Sequence, residues 1–343
     1  MLRFKYLLSG NFVKIGFLVI LAMVILSVEE DSQAKVSNYA KTKYPVVLVP
    51  GALAFDSMLG ISDYWFGITN ELRDRGTDVY VTNLSSSAHH IQRGEELLED
   101  VRRIRALTGA EKVNLFAHSQ GATASRYVAS VMPHWVASVS CINCMNESSQ
   151  VADNLAEFGE KRRFAKVVLT GLATALFNAV ELLSIKGSDG EYNSPKRPKQ
   201  DAYDLVIAAG SEDFERFNKQ FPNGLPKDDC VSQGDGKYYK RKGGDKVVNG
   251  VHYYSLGGSE EVTNRLDPID SIFVPFVKLF YPSGHVWDGL VPGCSHPLGD
   301  LVESRYAMNH YDAINQVFGM VASGVDVPSI FAMQINRLRN ENH

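Results

Sequence analysis

From Tyr44 onward the chain switches between two hydrophobic rhythms. Tyr44 to Val49 is a short continuous apolar run and predicts a strand. Asp63 to Gly76 sets Tyr64, Ile68 and Leu72 one turn apart with charges opposite, and Gly76 supplies a stop, which predicts a helix. Asp78 to Leu84 predicts the next strand. Gly94 to Gly109 places Leu97, Leu98, Val101, Ile104 and Leu107 on one helical stripe. An apolar strand pattern then runs from Lys112 into Ser119, a helix is predicted from Ala122 to Val131, and a strand from Val136 to Cys144. Repeated β-α units of this kind imply an α/β architecture, a mostly parallel central sheet with helices on both faces.

Beyond Val151 the rhythm breaks. Phe164 to Ile185 is an apolar run that carries only Lys166 and Glu181 as charges, interrupted by Gly171 and Asn178. It is too short and too interrupted to span a bilayer. Two readings stay open: a buried core helix, or a lid, within an insertion of about 151–200, whose apolar face covers the site in water and opens onto lipid. Gly187 to Gln200 reads as a loop, and Asp228 to Gly250 as an exposed hairpin. Tyr253 to Leu256 resumes the sheet. Pro328 to Leu338 predicts a last helix with proline near its first position.

The chemistry gathers at Ala117-His118-Ser119-Gln120-Gly121. A small-x-Ser-x-Gly pentapeptide is weak by itself. Between a strand and a helix it has the context of a nucleophile elbow, a turn so tight that only small residues fit two positions either side of the serine. The following helix would aim its N-terminal amides at the same spot. A serine hydroxyl needs a base, and the base needs an acid to fix its tautomer. The downstream histidines considered for that role are His134, His252, His285, His296 and His310. His310 lies late in the chain, between segments of helical character. His134 follows a proline at a helix end, and His252 sits in a strand pattern. The best acid is Asp288, next to a glycine and just before a short apolar strand; Asp267 and Asp270 compete.

Bulk properties narrow the class. The 343 residues carry 35 basic and 39 acidic side chains, which leaves no electrostatic footprint for nucleic acid. At the start, Arg3, Lys5 and Lys14 precede the apolar run Ile15 to Val28, and Ser32-Gln33-Ala34 follows as a small-x-small site. That order predicts a secretory signal, residues 1–34, cleaved after Ala34. A helix over that run reaches only about 21 Å, short of the roughly 30 Å hydrocarbon core. An uncleaved tether is the alternative. Export permits disulfides. In an extended strand the Cα atoms of Cys141 and Cys144 would lie about 10 Å apart, too far to bridge, so both are read as buried thiols. Cys230 with Cys294 is then the natural bridge, worth about 4 kcal/mol for a loop of that length.

Read together, Asp63-Tyr64-Trp65-Phe66-Gly67-Ile68, Arg93-Gly94-Glu95-Glu96-Leu97-Leu98, Lys112-Val113-Asn114-Leu115 and Asn309-His310-Tyr311-Asp312-Ala313-Ile314-Asn315-Gln316 are familiar. Over about Thr42 to Arg339 the chain resembles the secreted triacylglycerol lipases of the Pseudomonas and Burkholderia type. The resemblance implies an α/β-hydrolase fold, with Ser119 as nucleophile, Asp288 as acid and His310 as base. It implies oxyanion-hole amides on Ala52 and Gln120, and the Cys230–Cys294 disulfide. One structural calcium ion is implied on the carboxylates of Asp267 and Asp312 with the carbonyls of Gln316 and Met320; hard oxygens suit that ion. A dedicated foldase chaperone is implied as partner, and a lipid ester at a lipid–water interface as substrate.

Departures from the family pattern are local. Pro50 replaces the histidine before the oxyanion-loop glycine, and Ala117 the first elbow glycine. Met145-Asn146-Glu147-Ser148-Ser149 stands where relatives have Pro-His-x-Gly-Ser, which puts pocket shape in question. The hairpin after Cys230 is longer and more basic. The expectation is a secreted triacylglycerol lipase. The rivals are a carboxylesterase for short-chain or polymeric esters and, more remotely, a non-catalytic lipid-binding protein on the same scaffold.

Overall fold

The computed structural model describes residues 37–343, apart from 53–56, 59–61, 86–87, 162–207, 229, 231–240, 268 and 282–285. The expected signal (1–34), the Phe164–Ile185 lid and most of the 151–200 insertion lie outside the described residues, as does the tip of the hairpin after Cys230. No helix among the described residues is long and apolar enough to cross a membrane.

Seven strands form one sheet: β1 (Val46–Val49), β2 (Val79–Val81), β3 (Val113–His118), β4 (Val136–Ile142), β5 (Val247–Val248), β6 (Val251–Gly258) and β7 (Asp300–Tyr306). The order is β2-β1-β3-β4-β6, and β6 pairs on its far side first with β5 and then with β7. All pairings are parallel except that of β5 with β6. Continuous apolar runs suit such strands because both faces are covered. Val47, Val49, Leu115, Ala117 and Val139 point to one face, where they meet α2 (His90–Thr108) and α3 (Gly121–Val131). Val46, Leu48, Phe116 and Ile142 point to the other, under α1 (Ile68–Asp74) and the last helix. Phe116 stacks on Phe331 of that helix at 4.3 Å, and Trp65 meets the same ring edge-on at 5.7 Å.

The element boundaries shift for local reasons. The helix expected from Asp63 begins only at Ile68, because Gly67 turns the chain with φ of 72°. Tyr64 therefore leaves the helix and becomes available to the site. Helix α2 starts at His90, a turn earlier than expected, and ends on Gly109 with φ of 69°. The strand expected to reach Cys144 stops at Ile142, because Asn143 takes a left-handed φ of 41°. Two further helices follow, α4 (Gln150–Lys161) and α5 (Ser211–Gln220). The last helix, α6 (Val327–Asn340), carries Pro328 in its first turn and Asp326 as its cap, whose carboxylate accepts from the Ser329 N–H at 3.1 Å.

That Asn143 turn corrects the cysteine reading. It folds the chain back, so the Cα atoms of Cys141 and Cys144 stand 5.7 Å apart and the two residues are disulfide-bonded. The 10 Å estimate assumed extended backbone through position 143. Cys230 and Cys294 are bonded as expected.

The fold makes a graded stability prediction. Phe331→Ala opens the fully buried stack on Phe116 and should cost about 3–5 kcal/mol. Asp326→Ala removes only a cap and should cost about 1 kcal/mol. Urea unfolding of the two variants measures the contrast; equal losses would contradict this account of the core.

Candidate active site

Because the long strands run parallel, their carboxyl ends share one edge, and the loops leaving it build the site. Strand β3 ends at His118 and α3 starts at Gly121, leaving Ser119 and Gln120 to turn the chain. Ser119 sits at φ of 53°, the strained left-handed geometry of a nucleophile elbow. Its carbonyl accepts from Ala122 N–H at 3.1 Å and from Met145 N–H at 3.0 Å. Two glycines make room. A Cβ on Gly51 would stand 2.5 Å from Ser119 Cβ, and one on Gly121 would stand 2.4 Å from the Val49 carbonyl oxygen.

Ser119 Oγ lies 2.9 Å from His310 Nε2, and His310 Nδ1 lies 2.7 Å from Asp288 Oδ2. A carboxylate only accepts, so Nδ1 carries the proton and Nε2 is left to receive one from the hydroxyl. All three residues are buried. The expected serine, acid and base therefore meet, although Ser119 and His310 are 191 positions apart.

Asp288 is fully buried, which alone would push its pKa up. Its surroundings reverse that and hold it well below the usual carboxylate range. Oδ2 accepts from His310 Nδ1, from His296 Nε2 at 3.0 Å and from Asn143 Nδ2 at 3.0 Å. Oδ1 accepts from the N–H groups of Leu290 (3.0 Å) and Val291 (2.7 Å). The latter pair comes from a tight loop closed by a bridge between Trp287 and Pro292, in place of the expected strand. His296 and Asn143 were not singled out from sequence. Asn143 sits between the bridged cysteines and also exchanges hydrogen bonds with Gly258 N–H and C=O, both at 3.0 Å.

A second hydrogen-bonded chain runs beneath the first. Gly51 N–H donates to Tyr64 Oη at 2.9 Å, Tyr64 Oη lies 2.6 Å from His118 Nδ1, and His118 Nε2 lies 2.9 Å from the His310 carbonyl oxygen. Facing a carbonyl, Nε2 must carry the proton, so Tyr64 donates to Nδ1. Burial, followed by the nearby His310 ring, keeps the His118 pKa well below its ordinary value, and the imidazole is neutral. The chain links the loop after β1 to the His310 segment. Buried Arg93 fixes the same loop by donating to the carbonyls of Pro50 (2.8 Å) and Gly51 (3.0 Å). Neither Ala52 N–H nor Gln120 N–H donates to another group among the described residues, which leaves both available to an incoming oxygen.

The remaining candidates sort differently. Asp267 and Asp270 do not contact His310. Asp270 accepts from Thr263 N–H, Asn264 N–H and the Asn309 amide. Asp267 accepts from Ile269 N–H and from Val317 N–H, next to Gln316. Asp312 is buried; one oxygen accepts from Thr263 Oγ1 and Asn309 N–H, and Oδ1 has no hydrogen-bond partner. Burial and the charges of Asp270 and Asp267 push the Asp312 pKa up to about 7. A buried oxygen without a donor, in the field of the Asp270 and Asp267 charges, is an environment a divalent cation would stabilise, so Asp312 is compatible with the expected calcium. His134 lies in a short helical turn, His252 lies on β6, and His285 lies outside the described residues.

A mostly parallel sheet with a serine elbow, a buried histidine and an acid at its carboxyl edge defines the α/β hydrolase class. Residues 44–182 match the family model of the α/β hydrolase fold. A triacylglycerol lipase of Vibrio cholerae serotype O1 is 36% identical over 330 residues, covering 95% of this chain and 98% of that protein. Another, from Pseudomonas fragi, is 33% identical over 282 residues, 80% of this chain and 89% of that one. Among solved structures, a metagenomic carboxyl esterase aligns with a TM-score of 0.53 over 90% of this chain and 77% of that one, at 14% identity, a likeness of fold alone. The chain belongs to the triacylglycerol lipase family and is a carboxylic ester hydrolase.

Two predictions follow from the geometry. His296→Ala or Asn143→Ala removes one of three donors on Asp288 Oδ2. Each should lower kcat about 10- to 100-fold with little change in KM, the loss of one hydrogen bond to a charged group. Steady-state kinetics on a soluble ester checks this; an unchanged kcat would remove both residues from the positioning role. The second concerns acid stability. Burial holds His118 and His90 neutral in the fold, so below pH 6.5 the unfolded chain binds protons that the folded chain does not. Each should cost about 1.4 kcal/mol of stability per pH unit as pH falls. Unfolding free energies at about pH 6 and pH 4 should therefore converge by that slope when His90 is replaced by Gln.

Proposed function

We propose that Ser119, His310 and Asp288 are the catalytic residues of this lipase. His310 Nε2 takes the Ser119 proton as Oγ adds to the ester carbonyl. The amides of Ala52 and Gln120 receive the developing oxyanion, an effect typically worth about 3 kcal/mol per donor. As the carbon–oxygen bond to glycerol breaks, the imidazolium returns its proton to the leaving alkoxide. Water then enters and adds to the acyl carbonyl as it loses a proton to His310; the bond to Ser119 Oγ breaks, the imidazolium returns the proton to Oγ, and the fatty acid leaves. Asp288 keeps the ring in the tautomer with Nε2 facing the serine and stabilises the imidazolium. One observation carries this reading: the 2.9 Å and 2.7 Å contacts on the two nitrogens of one ring.

The substrate reading is a water-insoluble acylglycerol. Asp267 and Asp312, with the carbonyls of Gln316 and Met320, are proposed to hold one calcium ion, which would supply charge balance to the buried carboxylates beside the His310 loop. Support for export comes from the basic-then-apolar N-terminal order and from two disulfides, which persist in oxidising compartments. A secreted protein that matures through the periplasm with a foldase is the corresponding proposal, and its foldase part rests on the family resemblance.

A fluorophosphonate should label the wild-type chain at Ser119, and Ser119→Ala should lose about 10⁴-fold or more in kcat on emulsified triacylglycerol. Labelling elsewhere, or activity surviving in Ser119→Ala, would reject the assignment. Calcium removal by chelator should lower the melting temperature of the wild type but not of Asp312→Asn. An identical response in both would dismiss the calcium site.

A further inference from the structure

The edge of the sheet opposite Ser119 carries a cluster that the reaction does not use. His252 lies near the amino end of β6, paired with Ser138 and Val247. Glu341 and His343 follow α6. One side-chain donor atom from each of the three lies within 4.8 Å of the other two. His343 Nε2 stands 3.9 Å from Glu341 Oε2, and the His252 and His343 rings are 4.4 Å apart, nearly edge to face. His343 is 9% exposed, and its Nε2 is buried with no hydrogen-bond partner although it is aimed at a carboxylate. A buried ring nitrogen so placed lacks what it needs: a proton acceptor contact or an electrophile.

We infer that His252, Glu341 and His343 form a binding site for a zinc-type divalent transition-metal ion, separate from the active site. Two imidazoles and one carboxylate make a borderline-soft donor set, unlike the all-oxygen set around Asp312. Three protein ligands leave a fourth position to water. Bonds of about 2.0–2.1 Å require donors somewhat closer together than they now stand. Glu341 can supply that movement, since its side chain is 40% exposed, while the imidazoles are held by their backbones. A His343 main-chain oxygen accepts from Lys43 N–H at 2.6 Å and the His343 N–H donates to Leu338 C=O at 2.9 Å, which fixes the segment. An outer partner is in place as well: Tyr254 Oη donates to Glu341 Oε2, the kind of contact that orients a ligating carboxylate. The ion would tie β6 to the segment after α6, and so fasten the helix that covers one face of the sheet.

Cobalt(II) is the probe, because a tetrahedral site colours it. The full wild-type chain, stripped of metal and kept in millimolar calcium to saturate oxygen sites, should bind a single Co²⁺ with tetrahedral absorption bands that Zn²⁺ abolishes. In His252→Ala and in His343→Ala the affinity should fall by about 100-fold or more, beyond the loss typical of an outer partner. Zn²⁺ should raise the melting temperature of the wild type and of Ser119→Ala, and of neither histidine variant. Hydrolysis of a soluble ester should be unchanged in both histidine variants. Equal metal binding by wild type and variants would place the ion on other groups and overturn the assignment. So would the absence of both the bands and the thermal shift in the wild type.

Discussion

An ionised carboxylate buried without water is stable only if the protein supplies every hydrogen bond that water would have given. Asp288 meets that condition with five donors drawn from four segments: Asn143 after β4, Leu290 and Val291 in its own loop, His296 beyond it, and His310 after β7. Removing any one segment from its place would leave a charge unpaired in the interior. The position of His310, and through it the aim at Ser119, follows from that requirement. The His310 N–H donates to the Asp288 carbonyl at 2.7 Å, so backbone and side chain of the two residues are joined together.

The supporting chain through Tyr64 and His118 works on the same loops from below. One end is the amide of Gly51, beside the proposed oxyanion donor; the other is the carbonyl of His310. A shift of the loop at Gly51 would therefore be felt at His310. Met145 adds a tie between the turn after β4 and the Ser119 carbonyl. Its neighbours Cys141 and Cys144 are covalently closed around Asn143, so Asp288 and Ser119 are both tied to a single turn.

Most of the fold was legible because parallel strands buried on both faces leave continuous apolar runs, and amphipathic helices between them leave a different period. The elbow could be read from its small residues and its strand–helix setting. Asp288 and His310 could only be ranked among competitors by spacing, and the family resemblance did the rest. His296 and Asn143 left no periodic trace, since what makes them matter is a three-dimensional meeting at Asp288 Oδ2. The Cys141–Cys144 bridge was misread because a single left-handed residue, Asn143, turns a strand into a hairpin bend. An asparagine between two cysteines was the available signal, as it is among the few non-glycine residues that tolerate that φ. Tyr64 was placed on a helix because Gly67 was treated as an interior residue and not as the turn that starts it.

Ser119 and His310 are separated by 191 positions, and Asp288 reaches His310 across 22. Contacts so distant along the chain close late, after local helices and neighbouring strands have formed. A ribosome-bound chain that has exposed Ser119 but not yet His310 holds a hydroxyl with no group to deprotonate it. If the proposed roles hold, a partly made chain carries an incomplete triad, and the three side chains can meet only once the strands on both sides of β6 have joined the sheet.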